Sequence, residues 1–249
     1  MGFVRQNARV CHDTRGNDMK IGIIAAMESE LDLLKAQMGE YKATTIAGVE
    51  FYEGKLGGRE VAMVVGGVGK VNSAVHAQLL ISKFGVDALV FTGVAGSLDP
   101  KIDICDIVVS TDCVQHDVEA VALGYAPGEI PYQEVSFFKA DENLRKAAVR
   151  VVGEVAPEVH VFEGRVASGD QFVSSAEAKE RIVSNFGALC CEMEGAAVAH
   201  VAWLNNVPYV VIRAISDKAD GSAHMDYPTF VAQAADRSAS IIEHLVAQL

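Results

Sequence analysis

The feature that most constrains the fold of this chain is an alternation of short, β-branched apolar runs with longer segments of helical periodicity. The strand-like runs are 21–25, 60–65, 88–92, 106–113, 161–167 and 207–215. The helix-like segments, with apolar residues three to four positions apart, are 27–38, 70–84, 141–155, 175–186, 194–204 and 227–249. This alternation predicts an α/β fold with a largely parallel sheet flanked by helices. Segment 50–56 and the strand after it are predicted to form an antiparallel pair that turns at Gly57 and Gly58.

Composition bounds the class of protein and the kind of partner. The 249 residues, 50% of them hydrophobic, are enough for one large core. The net charge is -12 and the basic residues are scattered, which disfavours a nucleic-acid backbone or an anionic membrane as partner. We therefore expect a small-molecule ligand. The five cysteines show no metal-ligand spacing, which favours reduced thiols and a cytoplasmic location.

The first 18 residues are polar and lack the apolar core of a signal peptide. We expect residues 1–18 to be a disordered extension, or the product of an upstream start codon, and residues 19–249 to form a single domain. No apolar run approaches the roughly 20 residues that span a bilayer.

The residues most typical of a catalytic or binding site are concentrated between Cys191 and Asp220. Glu192 and Glu194 precede an apolar helix, and the buried strand that follows is predicted to deliver Arg213, Ser216 and Asp217 at its carboxyl end. Open α/β sheets bind ligands at that end of their strands. The alternative is a solvated turn with an arginine on a surface carboxylate.

Other motifs in the sequence give weaker evidence of a functional site. The run from Gly66 to Lys70 lacks the first glycine and the hydroxyl residue of a triphosphate-binding loop. His116, His200 and His224 have no second histidine at ligand spacing, and His200 is predicted to be packed rather than catalytic. We expect no metal and no cofactor. The long loop 116–138 is predicted to be either a lid or an interface element.

Four segments in a fixed order give a stronger signal. They are Met27-Glu28-Ser29-Glu30, the run from Gly66 to Asn72, the run from Thr92 to Gly96, and Glu192-Met193-Glu194 with the run from Arg213 to Asp217. Together they resemble the bacterial 5′-methylthioadenosine/S-adenosylhomocysteine nucleosidases of the nucleoside phosphorylase superfamily. The likeness runs from residue 19 to 249 and includes His116-Asp117 and the run from Ser168 to Val173. It implies a three-layer α/β/α sandwich around a twisted, mixed central sheet, and a homodimer.

The resemblance also implies roles for polar residues. Asp217 matches the proton donor to N7 of adenine, and the alternative is a helix cap. Glu30 matches the carboxylate that activates water, and the alternative is a first-turn glutamate that stabilises its helix. Glu194 matches the ligand of the ribose hydroxyls. Arg213 matches a residue that positions water and carboxylates, and the alternative is an arginine in a structural ion pair.

Further positions match the walls of the substrate pocket. The matching positions are Met27, Val68, Val94, Phe172, Val173, Met193 and Tyr227, with Tyr125 and Pro131 reaching the 5′ pocket of the neighbouring subunit. An apolar residue at any one of them is as compatible with plain core packing.

The chain departs from the family pattern at two places. Val94 replaces a serine that orients the aspartate, so Asp217 is expected to be held by Ser216 or by a backbone amide. Ala120 and Leu123 replace larger residues in the 5′ loop, so a roomier pocket is expected. The segments also resemble the branch that cleaves 6-amino-6-deoxyfutalosine.

Two other functions fit the same fold. A phosphorylase would need cationic groups around phosphate, and the run from Met27 to Glu30 offers carboxylates instead. A non-catalytic nucleoside-binding protein would not need Glu30, Glu194, Arg213 and Asp217 together. Hydrolysis is therefore the reaction that the residues favour, and the resemblance implies that the substrates are adenine nucleosides.

Overall fold

The computed structural model of the chain describes residues 19–26, 28–219 and 227–249, without the side chains of 227–233. The strands are β1 Ile21–Ala25, β2 Tyr41–Ile46, β3 Val49–Leu56, β4 Arg59–Val65, β5 Ala88–Ser97, β6 Ile107–Gln115, β7 Phe137–Lys139, β8 Val161–Ser168, β9 Cys190–Glu192 and β10 Tyr209–Asp217. The helices are α1 Glu28–Met38, α2 Lys70–Phe84, α3 Glu142–Val155, α4 Ala176–Phe186, α5 Gly195–Asn205 and α6 Tyr227–Gln248, with a short 3-10 turn at Val121–Leu123.

All described strands join one mixed sheet. Strands β4, β1, β5 and β10 are parallel neighbours, and β3 and β2 extend the sheet beyond β4 in antiparallel order. Strand β10 also pairs antiparallel with β6, while β8 and β9 lead from β6 back to β5. The strands β5, β10, β6, β8 and β9 thus close into a ring. The sheet is mixed, as predicted, but less parallel than the alternation indicated, because the unpredicted strands β2 and β7 join by antiparallel pairing only.

Two large apolar cores lie on opposite faces of the sheet, and a third, smaller one packs α4 against β6 and β8. One contains Leu34 of α1, Val151 of α3 and Leu245 of α6, and the other contains Leu80 of α2 and Val198 of α5. The three layers are therefore α1, α3 and α6, then the sheet, then α2 and α5. The predicted α/β/α sandwich is confirmed.

Local signals account for the helix ends. Asp141 caps α3 by accepting from the amides of Asn143 and Leu144, and Ser175 caps α4. Helix α2 ends at Phe84 and is capped by Gly85, whose φ of 65° is a left-handed conformation that glycine adopts without strain. These ends agree with the predicted helices to within about two residues.

Three strands run past their predicted carboxyl ends by two residues or more. Strand β5 continues from residue 92 to Ser97, β6 continues from residue 113 to Gln115, and β10 continues from residue 215 to Asp217. Arg213 is therefore inside β10 and not at its end. The extensions of β5 and β10 pair with each other in parallel, and the sequence does not reveal this long-range pairing. Within the described ranges, no helix is long and apolar enough to cross a membrane.

Candidate active site

A pocket of about 310 Å³ opens at the carboxyl ends of the central strands. Its walls follow β1, β4, β5, β8, β9 and β10, which is where α/β sheets bind ligands. The lining residues are Ala26, Gly67, Val68, Val94, Ala95, Gly96, Gln171, Phe172, Val173, Cys191, Glu192, Met193, Glu194, Ser216 and Asp217. Most of this lining is apolar, and its charged members are carboxylates.

Asp217 lies at the end of β10, just after an irregularity in the strand. Ile215 pairs with Ala95 and Asp217 with Gly96, so Ser216 is an extra residue without a partner. The Ser216 hydroxyl donates to Oδ2 of Asp217 at 2.8 Å, and the Ala219 amide donates to Oδ1 at 2.8 Å. The expectation that Asp217 is held by Ser216 or by a backbone amide is confirmed, and both interactions are present.

Glu192 and Arg213 form a buried ion pair beneath the pocket. Nη2 of Arg213 lies 2.6 Å and Nε 3.2 Å from Oε2 of Glu192. The guanidinium also stacks on the ring of Phe91, at 4.0 Å from its centroid, and is fully buried. Glu192 accepts further hydrogen bonds from Ser168 and from the amide of Gly195. Arg213 does not line the pocket, so it can act on a substrate only through Glu192 and its neighbours.

Glu194 stands at the start of α5 and faces the loop before α2. Its Oε1 accepts from the amide of Gly69 at 2.8 Å. Burial of the carboxyl, and then the negative charge of Glu192, raise the pKa of Glu194 to about 7. This carboxyl can therefore hold or release a proton near neutral pH.

Glu30 is fully buried in the first turn of α1. It accepts from the amide of Ala26 at 3.2 Å, and the Thr92 hydroxyl lies 3.5 Å from its other oxygen. Ala26 lines the pocket and Glu30 does not, so the carboxylate lies behind the wall at the end of β1.

A ring of hydrogen bonds that the sequence analysis did not predict joins three loops beside the pocket. The Lys70 amide donates to Oδ1 of Asp170 at 2.8 Å, and the Asp170 amide donates to Oδ2 of Asp117 at 2.9 Å. Nζ of Lys70 closes the ring on Oδ1 of Asp117 at 2.7 Å. Lys70 thus binds a protein carboxylate. The sequence analysis had noted two of these segments, His116-Asp117 and the run from Ser168 to Val173. No pattern in the sequence indicated that Lys70 would be their hydrogen-bond partner.

The apolar residues proposed for the pocket divide into three groups. Val68, Val94, Phe172, Val173 and Met193 line the cavity. Tyr125 and Pro131 do not, and Tyr125 packs instead against the ring of Tyr132. Met27 and the side chain of Tyr227 lie outside the described residues.

The histidines and cysteines near the site have separate environments. His200 stacks on Phe138 and contacts Gln115 and Gln133 through its ring nitrogens, so the prediction that it is packed is confirmed. His116 does not line the pocket, and burial lowers the pKa of its ring. Cys191, which was not predicted as a site residue, does line it, and burial and the charge of Asp217 raise the pKa of its thiol to about 12. His224 lies outside the described residues.

Comparison with known proteins gives consistent matches. A model of the phosphorylase superfamily matches residues 20–247. A 5′-methylthioadenosine/S-adenosylhomocysteine nucleosidase of Staphylococcus aureus is 40% identical over 230 residues, 92% of this chain and 100% of the relative.

Solved structures agree with these matches. An Asp-to-Asn mutant of a Helicobacter pylori nucleosidase with 5′-methylthioadenosine in its active site superposes with a TM-score of 0.87 at 37% identity, over 93% of this chain and 99% of that one. A futalosine hydrolase mutant of H. pylori superposes with a TM-score of 0.86 at 37% identity, over 93% and 100%.

Proposed function

The chain belongs to the phosphorylase superfamily, and on that premise we propose that it is a nucleosidase of adenine nucleosides. It hydrolyses the N-glycosidic bond of 5′-methylthioadenosine and S-adenosylhomocysteine and releases adenine. The observation that carries this proposal is a pocket whose charged lining consists of Glu192, Glu194 and Asp217, with Glu30 buried behind Ala26. Cleavage of an N-riboside needs a proton donor, a base for water and anchors for the sugar, and carboxyl groups can serve all three purposes.

Asp217 is the proton donor to N7 of adenine. Its Oδ1 is occupied by the amide of Ala219, which cannot change its direction of donation. Its Oδ2 faces the Ser216 hydroxyl, which also lies 3.3 Å from the carbonyl of Ala95. The hydroxyl has a single proton, so it can turn toward Ala95 when Oδ2 is protonated. Oδ2 is therefore the oxygen that carries the transferable proton.

Glu194 anchors the ribose. A carboxylate accepts several hydrogen bonds, so Glu194 can hold the Gly69 amide together with the 2′- and 3′-hydroxyls of the sugar. Its negative charge also favours the positive charge that develops on the ring as the bond breaks. Glu30 activates the attacking water at the end of β1, and Arg213 positions this side of the site through Glu192.

The charges favour water over phosphate as the nucleophile. No lysine, arginine or histidine belongs to the described lining of the pocket. The amides at a helix N-terminus commonly bind anions, but those of Gly69 and Lys70 already donate to Glu194 and Asp170. A phosphate ion would meet carboxylates and find these two donors occupied. We therefore favour hydrolysis over phosphorolysis.

A second copy of the chain completes the 5′ end of the pocket. Val68 and Phe172 are exposed by 71% and 72%, so the wall beside them is open in the single chain. Loop 116–138 presents Leu123 and Tyr132 to solvent on the same protein. In a homodimer the segment with Tyr125 and Pro131 would cover the neighbour's pocket and remove this apolar surface from water. The four described cysteines are free thiols, which fits a reducing compartment such as the cytoplasm.

Substrate breadth is part of the proposal. The reacting atoms of 6-amino-6-deoxyfutalosine are those of methylthioadenosine, and only its 5′ extension differs. Ala120 and Leu123 leave more room on the loop than larger side chains would, and the chain resembles a futalosine hydrolase. We propose that all three nucleosides are hydrolysed.

The test is release of adenine from each nucleoside with and without inorganic phosphate, with identification of the sugar. We expect free 5-methylthioribose from methylthioadenosine, at the same rate without phosphate and after exhaustive chelation. A sugar 1-phosphate would establish a phosphorylase, and binding without turnover would establish a non-catalytic nucleoside-binding protein. In competition, a kcat/KM for aminodeoxyfutalosine below about one thousandth of that for methylthioadenosine, roughly 4 kcal/mol, would exclude only the broad specificity.

A further inference from the structure

One peptide group next to Asp217 has hydrogen bonds at both ends. Its N–H belongs to Ala219 and donates to Oδ1 of Asp217 at 2.8 Å. Its carbonyl belongs to Lys218 and accepts from Nζ of Lys179 at 2.6 Å. A continuous chain therefore leads from the ammonium of Lys179, through one peptide unit, to the carboxyl group of Asp217.

Lys179 lies on α4 and is half-buried. Its ammonium also donates to the carbonyl of Ser97, at the end of β5, at 2.9 Å. Among the described residues no carboxylate lies within ion-pair distance of this ammonium, so its contacts here are with carbonyl oxygens. A charged donor on a carbonyl polarises the peptide and strengthens donation by the N–H at its other end.

The surroundings of Asp217 include other charged and titratable groups. Those of the described elements packed around the end of β10 are Lys179 of α4, Cys191 and Glu192 of β9, Glu194 before α5, Arg213 of β10, and Lys218 with its partner Asp103. The ammonium of Lys218 points away from the site, because it donates to the carbonyl of Ile102 and to Asp103. Among the cations of the described residues, Lys179 is thus the one whose hydrogen bonds lead to Asp217.

We propose that Lys179 is a positioning residue for the proton donor, which orients Asp217 and stabilises its ionised form through the Lys218–Ala219 peptide. This inference rests on the proposed function, in which Asp217 protonates adenine. Stabilising the ionised carboxylate makes the protonated form a stronger acid, so the proton passes more readily to N7. The peptide link also fixes Oδ1, which leaves Oδ2 for the proton.

The experiment is a pH profile of kcat for the wild type and for Lys179→Met, with methylthioadenosine as substrate. Without the ammonium, the Lys218–Ala219 peptide donates more weakly to Asp217, so the ionised carboxylate is stabilised less and the proton passes less readily to N7. We expect the alkaline limb of the kcat profile to move up by about 0.5 pH unit. We expect kcat on the plateau to fall about tenfold, because the orientation of Asp217 is lost together with acid strength. Lys179→Arg keeps a charged donor and should restore the position of the limb, and should restore kcat to within about threefold of the wild-type value.

Lys218→Met is the matched control, because it removes an ammonium from the same segment but leaves the peptide link intact. Its alkaline limb should coincide with that of the wild type. If Lys179→Met moves the limb no further than Lys218→Met, Lys179 is only a structural tether between α4 and β5, and the proposal is overturned. If Lys179→Met does not fold, Lys179→Gln is measured with the same criteria. A wild type without hydrolase activity would instead refute the proposed function itself.

Discussion

Arg213 donates two hydrogen bonds to a single oxygen of Glu192, from Nη2 at 2.6 Å and Nε at 3.2 Å, and the pair is shielded from solvent. Removing one partner of such a pair leaves a buried charge without compensation. Arg213→Met is therefore expected to lower the free energy of unfolding by about 3–5 kcal/mol, measured by urea denaturation.

The matched control is Arg145→Met, which removes a surface arginine paired with Glu163. Its effect should stay within about 1 kcal/mol. Adding Glu192→Gln to Arg213→Met removes the unpaired charge and should recover part of the loss. An Arg213→Met variant as stable as the control would show that the buried pair contributes no more to the free energy of unfolding than the surface pair.

Asp217→Asn keeps the shape of the side chain but removes the proton that we propose Asp217 transfers to adenine. General acids and bases contribute about 10²–10⁴ in rate, so kcat for adenine release should fall at least about a hundredfold. The melting temperature should stay nearly unchanged, because Asn can still accept from Ala219. Glu30→Gln should lose turnover similarly, as the base for water. A near-normal kcat in either variant would return that residue to a structural role.

The raised pKa of Glu194 couples stability to pH. The folded chain binds this proton more tightly than the unfolded chain, so between about 4.5 and 7 the free energy of unfolding falls as pH rises. Glu194→Gln removes that dependence and keeps an acceptor for Gly69. We expect the melting temperature of the variant, relative to wild type, to increase from pH 5 to pH 8.

Surface Glu142 provides the contrast, because the Lys146 ammonium holds the pKa of its carboxyl below the usual value. Glu142→Gln should give no such relative gain at pH 8. In activity assays Glu194→Gln should raise KM as well as lower kcat, since hydrogen bonds to ribose begin in the bound substrate. An unchanged KM would mean that Glu194 does not hold the sugar.

The carboxylate of Asp217 occupies space that is free because Gly96 has no Cβ atom. A Cβ at this position would lie 2.9 Å from Oδ1 of Asp217 and 3.0 Å from Cβ of Ala219, so Asp217 would have to move. Gly96→Ala should therefore reduce kcat by about 10²-fold. Gly153 on α3 has open space around its Cβ position. Gly153→Ala should leave kcat unchanged and add about 0.5–1 kcal/mol of stability, and equal effects on kcat in the two variants would contradict this account.

We expect two copies of the chain to form a homodimer in solution. Val71 of α2 and Leu204 of α5 are exposed by 74% and 55%, in addition to Leu123 and Tyr132 of the loop. Sedimentation velocity at micromolar concentration should give the mass of a dimer. Leu123→Glu should shift it toward monomer and raise KM, whereas Val183→Glu on α4 should do neither. A fully active wild-type monomer would end the homodimer proposal.

The sequence predicted the regular elements best. Strands of β-branched residues and capped helices carry local signals, and these placed β1, β10, α2 and α3 close to their observed ranges. The short strands β7 and β9 were missed, because three residues carry no periodicity and pair only through long-range contacts.

Several residues that line the candidate pocket were predicted from the sequence, but their contacts were not. Glu192 and Glu194 are two positions apart, yet one ends β9 beside Arg213 and the other begins α5 beside Gly69. No local pattern distinguishes these two environments. The ring through Lys70 and the link through Lys179 depend on which loops the topology brings together, so the sequence alone could not reveal them.

The extra residue in β10 affects which substitutions this protein can accept during evolution. Side chains alternate along a strand, so in a regular β10 the side chain of Asp217 would point to the same face as those of Arg213 and Ile215. Because Ser216 is an extra residue, Asp217 instead pairs directly after Ile215, and the alternation places its side chain on the opposite face. Substitutions around Asp217 can therefore accumulate on one face of the strand while Arg213, on the other face, keeps its pairing with Glu192. Change at the pocket and retention of the core are thereby constrained by different faces of a single strand.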